Sequence, residues 1–156
     1  MSEHGLYLED LEEGMSAVFG KTITDADILM FAGVSGDTNP VHLNEEFACG
    51  TAFKGRIAHG MLTASLISTV IGTKLPGPGC IYVAQNLKFM APVRAGDTVR
   101  AVVTIKEINR ERRRVTMETV CMVGQDKVLD GEATIMVARR EAKVSPMVEE
   151  KIGIPA

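Results

Sequence analysis

Apolar residues in the second half of this chain recur at alternate positions, and that alternation predicts strands. Ile81, Val83, Gln85, Leu87 and Phe89 share one face of a first segment, and Val99, Ala101, Val103 and Ile105 one face of a second. Val115, Met117, Cys121 and Val123 mark a third, and Ala133, Ile135 and Val137 a fourth. A period of two is that of a half-buried strand, whose successive side chains point to opposite faces. The breaks at Pro92 with Gly96-Asp97, at residues 109–113 and at Gly124-Gln125-Asp126 read as hairpin connections, and Gly131 as a bulge.

The first half follows a different rhythm. A polar arm with a short apolar patch at Leu6 and Leu8 leads into a strand over residues 15–23, around Val18 and Phe19. Thr24 then opens a helix: its side chain can cap the free amides, and Asp25 and Asp27 favour the positive end of the dipole, Asp27 in the capping-box position. Ile28, Phe31 and Ala32 fall on one face of that helix. Residues 60–74 form a longer one, in which Met61, Leu62, Ala64, Leu66, Ile67, Val70 and Ile71 point nearly every way round. A helix apolar on all sides is a buried helix. Its hydroxyls, on Thr63, Ser65, Ser68 and Thr69, can bond to carbonyls one turn earlier. Leu75-Pro76-Gly77-Pro78-Gly79 stops it. One long buried helix followed by antiparallel strands predicts an α+β domain.

Length and composition narrow the setting. The 156 residues suit one domain over residues 1–140, which can bury about two-thirds of its unfolded surface. Residues 141–156 are polar, contain two prolines and read as a tail. The net charge of −3 is mild and gives no argument for a nucleic-acid partner. Cys49, Cys80 and Cys121 have neither metal-ligand spacing nor the even number of a disulfide framework. Each reads as a small buried apolar residue in a reducing compartment. No apolar run reaches the length of a membrane span and no signal-peptide pattern opens the chain, so a soluble, cytoplasmic protein is expected.

The stretch FAGVSGDTNPVHLNEEFA, residues 31–48, carries the candidate chemistry. Gly36, Asp37, Asn39 and Pro40 are turn residues, which predicts a stiff loop rather than a helix or strand. Such a loop can hold the Asp37 carboxylate and the His42 imidazole in one mutual orientation, as acid–base catalysis requires. On spacing alone a second reading stands beside it, in which Asp37 caps a turn and His42 packs as a satisfied loop histidine. A metal site built from Glu45, Glu46, His42 and His59 finds no support, because no recognised ligand spacing is present. The start of the buried helix, at His59-Gly60, offers backbone amides to a developing oxyanion, or equally a glycine that merely permits tight packing.

The string Gly36-Asp37-Thr38-Asn39-Pro40-Val41-His42, five residues and then Ala48 resembles the signature of the (R)-specific enoyl-CoA hydratases, the MaoC-like dehydratases. The resemblance continues through Phe53, Ile57-Ala58-His59-Gly60-Met61-Leu62, Ser65-Leu66, Ile81-Tyr82, Pro92-Val93 and Gly96-Asp97, and spans residues 11–137. It implies a hot-dog fold, a curved antiparallel sheet wrapped around a long central helix. It implies a reaction too, the reversible hydration of a trans-2-enoyl thioester to the (3R)-hydroxyacyl thioester. Asp37 and His42 would then grip the water, and the Gly60 amide would hold the thioester carbonyl. Asn39 and Ser68 are the substrate-binding candidates; Ser68 matches a family position near the site but could equally bond its own helix backbone. No metal and no cofactor are implied, coenzyme A being part of the substrate.

The thioester carrier is coenzyme A or acyl carrier protein, and a homodimer or higher homo-oligomer is the expected assembly. Lys54, Arg56, Lys88, Arg94 and the basic residues at 110–114 could meet coenzyme A phosphates or simply face solvent. Two rival functions share the ligand. A hot-dog thioesterase would want a carboxylate on the buried helix, and residues 61–71 contain none. A non-catalytic acyl-CoA-binding protein would have no need of an intact Asp37 and His42.

Overall fold

The computed structural model describes residues 4–140; the expected tail at 141–156 lies outside them. Five antiparallel strands make one sheet: β1 (Ser16–Thr22), β2 (Ile81–Phe89), β3 (Thr98–Asn109), β4 (Arg114–Val123) and β5 (Asp126–Met136), in the order β1-β3-β4-β5-β2. Four helices precede β2: α1 (Asp25–Ser35), α2 (Pro40–Leu43), α3 (Glu45–Cys49) and α4 (Gly60–Thr73). The sheet wraps α4, which packs against β1, β3 and β4.

The alternation in the sequence maps directly onto the core. Val99, Ala101, Val103 and Ile105 of β3, Val115, Met117 and Cys121 of β4, and Ala133 and Ile135 of β5 are all buried, facing Leu66, Ile67, Val70 and Ile71 of α4. Helix α1 begins as expected, with the Thr24 side chain accepting from the Asp27 amide and the Asp27 carboxylate accepting from the Thr24 amide. It ends where Gly36 takes the left-handed conformation, φ 77°.

Several expectations change. The amino-terminal arm is tied into the core, with Leu8 and Leu11 buried and Leu8 in a short 3-10 turn. Its backbone bonds to Pro76, Pro78 and Ala138, which anchors it between the end of α4 and the end of β5. Helix α4 is buried along one face only: Met61, Ser65 and Ser68 are exposed. In β2 a register shift between Tyr82 and Ala84 breaks the alternation, so Tyr82, Gln85 and Leu87, rather than Ile81 and Val83, line up with the inward positions of β5. Gly131 pairs regularly with Leu87 and Thr119 and is no bulge. Glycine is needed there because a Cβ would lie 2.1 Å from the Asn86 carbonyl oxygen. Cys49 is exposed, not buried.

The change that matters most for function concerns residues 90–97. They do not close a hairpin, because β2 pairs with β5 at one edge of the sheet while β3 lies beside β1 near the other. The segment is therefore a crossover. It bonds in turn to Val128 through Met90, to Ala58 through Val93 and to Ile23 through Gly96 and Asp97, and it passes the start of α4 on the way.

Candidate active site

The polypeptide between α1 and α4 builds the site in short steps. Gly36 turns the chain out of α1, and the Asp37 carboxylate accepts from the Asn39 amide, an Asx turn that holds Asp37 at the loop tip. Asn39 then caps α2 through its side-chain oxygen on the Val41 amide, 3.1 Å away, and Pro40 takes the first helical position. The stiff loop expected through His42 thus ends at Asn39. His42 lies in a one-turn helix, because an Asn cap followed by Pro starts a helix rather than extending a loop.

His42 is 8% exposed, and its Nδ1 lies 2.8 Å from the Ile57 carbonyl oxygen. A carbonyl can only accept, so Nδ1 carries the hydrogen and Nε2 presents a lone pair in the neutral ring. His59, 2% exposed, meets the backbone carbonyl of Asp37 through Nε2 at 2.9 Å. The two imidazoles are stacked, with centroids 3.8 Å apart and planes inclined by 29°. A carboxylate oxygen of Asp37 and one ring nitrogen from each histidine all lie within 4.8 Å of one another.

A cavity of about 450 Å³ opens beside this cluster. Its wall includes Asp37, His59, Gly60 and Thr63, and on the apolar side Phe53 and Phe89, with residues 90–93 of the crossover completing it. The first amides of α4, on Gly60 and Met61, have no acceptor among the described residues, and no side chain caps them. They are the free donors expected at a helix start, where the dipole is positive.

Three elements are pinned around the site by two arginines. Arg56 reaches Asp25 of α1 at 2.5 Å, Glu45 of α3 at 3.4 Å and the His42 carbonyl. Arg94 donates to the carbonyls of Arg56 and Phe53. Arg110 is likewise committed, to the carbonyls of Leu8 and Leu11. Of the basic residues noted in the sequence, these three hold backbone in place rather than standing free for a phosphate.

The structure brings Asp37 and His42 together, sets Asp37 and Gly60 in a cavity wall that His42 does not join, and leaves two candidates apart. The Asn39 side-chain oxygen is occupied by its cap, and Asn39 is not part of the cavity wall. Ser68 is exposed, two turns along α4 from Gly60 and roughly 12 Å along the helix axis. Reading the sequence for chemistry missed His59 as a neighbour of both Asp37 and His42, and Phe89 as the ring over Gly60. The signal for His59 was its place between Ala58 and Gly60, a polar residue in a run leading into a buried helix. The three donors lie close enough to consider a metal ion, but each histidine already commits one ring nitrogen to a backbone carbonyl.

Residues 9–126 match the family described as the MaoC like domain. The chain belongs to that family. Over 134 residues it is 58% identical to the (R)-specific enoyl-CoA hydratase of Rhodospirillum rubrum, covering 86% of this chain and 93% of that protein. Identity to the 3-hydroxybutyryl-CoA dehydratase of Methylorubrum extorquens is 51% over 136 residues, 87% of each chain. Among solved structures, the unliganded R-hydratase PhaJ1 from Pseudomonas aeruginosa superposes with a TM-score of 0.82 at 41% identity, covering 92% of this chain and 96% of that one. The fold of this MaoC-like chain is accordingly the hot-dog fold expected of it.

Proposed function

We propose that this chain hydrates trans-2-enoyl-CoA to (3R)-hydroxyacyl-CoA and catalyses the reverse dehydration. Asp37 and His42 hold the water, and the Gly60 amide receives the thioester carbonyl. The observation that carries the reading is the placing of the Asp37 carboxylate and a ring nitrogen of His42 within 4.8 Å of each other near an apolar cavity. One water fits that gap at ordinary hydrogen-bond lengths of about 2.8 Å to each side. Because both groups accept, each takes one O–H of the water, and the oxygen lone pairs face the substrate.

The steps balance without another reactant. The water oxygen adds to C3 while one of its protons passes to the Asp37–His42 pair, and the C2–C3 π electrons move into an enolate on the thioester oxygen. The Gly60 amide and the start of the α4 dipole stabilise that oxyanion. The pair then returns the proton to C2. No cofactor takes part, and coenzyme A is carried by the substrate. The relatives at 58% and 51% identity bear the names of enzymes of CoA thioesters, which supports coenzyme A over acyl carrier protein as the carrier.

The working form is a homodimer. Strand β2 is an edge of the sheet, and its exposed Ile81, Tyr82, Val83 and Phe89 suit pairing with a second copy. The setting is the cytoplasm: all three cysteines are free, as a reducing compartment keeps them. No helix among the described residues is long and apolar enough to cross a membrane.

The deciding experiment follows the enoyl-thioester absorbance of crotonyl-CoA with wild type, Asp37→Asn and His42→Gln, and determines the configuration of the alcohol. The expected result is rapid formation of the (3R) product, slowed about a hundredfold or more by either substitution. Release of free coenzyme A, or tight binding without turnover, would replace the hydratase reading by one of its rivals.

A further inference from the structure

His59 touches both members of the proposed acid–base pair but belongs to neither role. Its Nε2–H donates to the backbone carbonyl of Asp37 at 2.9 Å, and its ring lies 3.8 Å from that of His42, centroid to centroid. On its other side it meets Phe31 of α1, ring centroids 4.9 Å apart. The ring is 2% exposed, and Nδ1 is buried with no hydrogen-bond partner among the described residues. A buried polar atom without a partner carries a desolvation cost, so its retention calls for a compensating role.

The hydrogen bond and the stack together supply one. Donation through Nε2 places the hydrogen there and leaves the unpartnered, buried Nδ1 as a lone pair, which fixes the tautomer. Nδ1 is buried and makes no hydrogen bond among the described residues. What the ring does instead is fix two positions at once. It ties down the carbonyl of Asp37, whose amide and carboxylate bond to near neighbours along the chain, and it presents a flat face to the His42 imidazole.

We infer that His59 is a positioning residue that holds Asp37 and His42 in register with each other, through a backbone hydrogen bond to the first and ring stacking on the second. The inference rests on the hydratase reading. The first residue of α4 is Gly60 and the residue before it is His59, so one rigid helix start sets the oxyanion donor and the acid–base pair relative to each other. A loop that drifted by about 1 Å would forfeit on the order of a hundredfold in rate without loss of substrate binding.

Two variants separate the two contacts. His59→Phe keeps a ring face and removes the donor; His59→Gln keeps an amide donor of similar reach and removes the ring. Both are compared with wild type on crotonyl-CoA, with kcat expressed per folded site by titration with a non-reactive acyl-CoA. The expected result is a fall in kcat of about tenfold or more in each, with KM within about twofold of wild type. Nitrogen-15 spectra of the histidines in wild type should show His59 as the Nε2–H tautomer and His42 as the Nδ1–H tautomer. If His59→Phe fails to fold, His59→Gln alone carries the kinetic test. The inference is overturned by a kcat per folded site that matches wild type, by a loss that lies wholly in KM, or by a His59 protonated on Nδ1. A wild type that hydrates crotonyl-CoA alongside fully active His59 variants removes this inference alone, whereas a wild type without hydratase activity removes both.

Discussion

A β-carbon placed on Gly60 would lie 2.7 Å from Cε1 of Phe89 and 2.9 Å from its Cδ1. Both residues form the cavity wall, so the ring of Phe89 covers the helix start at which a thioester oxygen would arrive. Phe89 is 53% exposed at the end of β2, which leaves its ring free to swing. Gly60→Ala should therefore fold, with a melting temperature within a few degrees of wild type, yet lower kcat/KM by about ten- to a hundredfold, since a displaced oxyanion donor forfeits up to about 3–4 kcal/mol. The double variant with Phe89→Ala relieves the collision, and a cycle over the four proteins should recover part of the loss. Equal losses in the single and double variants would place the damage elsewhere.

The exposed thiol makes a separate prediction about pH. Cys49 Sγ lies 3.4 Å from the Glu45 carboxylate. That acceptor, with a small contribution from burial and the negative charge of Glu45, raises the thiol pKa. The sign is that of a thiol held protonated: accepting from S–H favours the neutral form, and a nearby carboxylate disfavours the thiolate. Alkylation of native Cys49 by iodoacetamide at pH 8 should be slower than that of the denatured chain, and Glu45→Gln should accelerate it. Cys121, buried and with its thiol pushed up to about 12, should react only after unfolding. Mass spectrometry of the labelled peptides reads both, and a native Cys49 faster than the denatured one would contradict the assignment.

Strands β3, β4 and β5 were legible in the sequence where their inward positions keep period two, over 99–105, 115–121 and 133–135, although register shifts follow Ile105 and Cys121. The capping box at Thr24 and Asp27 was legible for a similar reason, being decided within four residues. Strand β2 was misread in phase because its register shift at Val83 is set by pairing with β5, a partner about fifty residues away. The same non-local pairing turned an expected hairpin at residues 90–97 into the crossover that walls the cavity. Within the site, the motif pointed to Asp37 and His42, and the helix start pointed to Gly60. The stack of His59 on His42 joins residues seventeen positions apart through space, and no spacing rule carries it. Asn39 and Ser68 illustrate the opposite limit: their residue types suit binding, but a cap claims one side chain and the direction of α4 carries the other away from the cavity.

Edge strand β2 predicts how the chain assembles. Val83 sits at the register shift and is 49% exposed, so a charge there costs the folded monomer little. Between two copies paired along β2 the same charge would face its own image across the two-fold axis. Val83→Lys should leave the circular dichroism spectrum unchanged while shifting the sedimentation mass from dimer toward monomer. A wild type that sediments as a monomer, or a variant that stays dimeric, would move the interface off this edge.

Arg56 offers the sharpest test of whether the site depends on its surroundings. Its guanidinium bridges Asp25 on α1 and Glu45 on α3, and also donates to the carbonyl of His42 on α2. Its amide adds a bond to Glu45, and that backbone donor is the leading cause of the lowered Glu45 pKa. Each carboxylate partner is well exposed, so the ion pairs alone stabilise little. The planar fork is the larger asset, because it holds three short elements at fixed angles, a task that a lysine's single nitrogen cannot perform. Arg56→Lys keeps the charge and loses the fork; Arg56→Met loses both. If geometry dominates, the two should lower the melting temperature by similar amounts, and both should reduce kcat on crotonyl-CoA several-fold because His42 loses a backbone restraint. If charge dominates, Arg56→Lys should resemble wild type, and the stability of wild type should fall as salt screens the pairs. Thermal melts at low and high salt, set beside the kinetics of both variants, separate these outcomes.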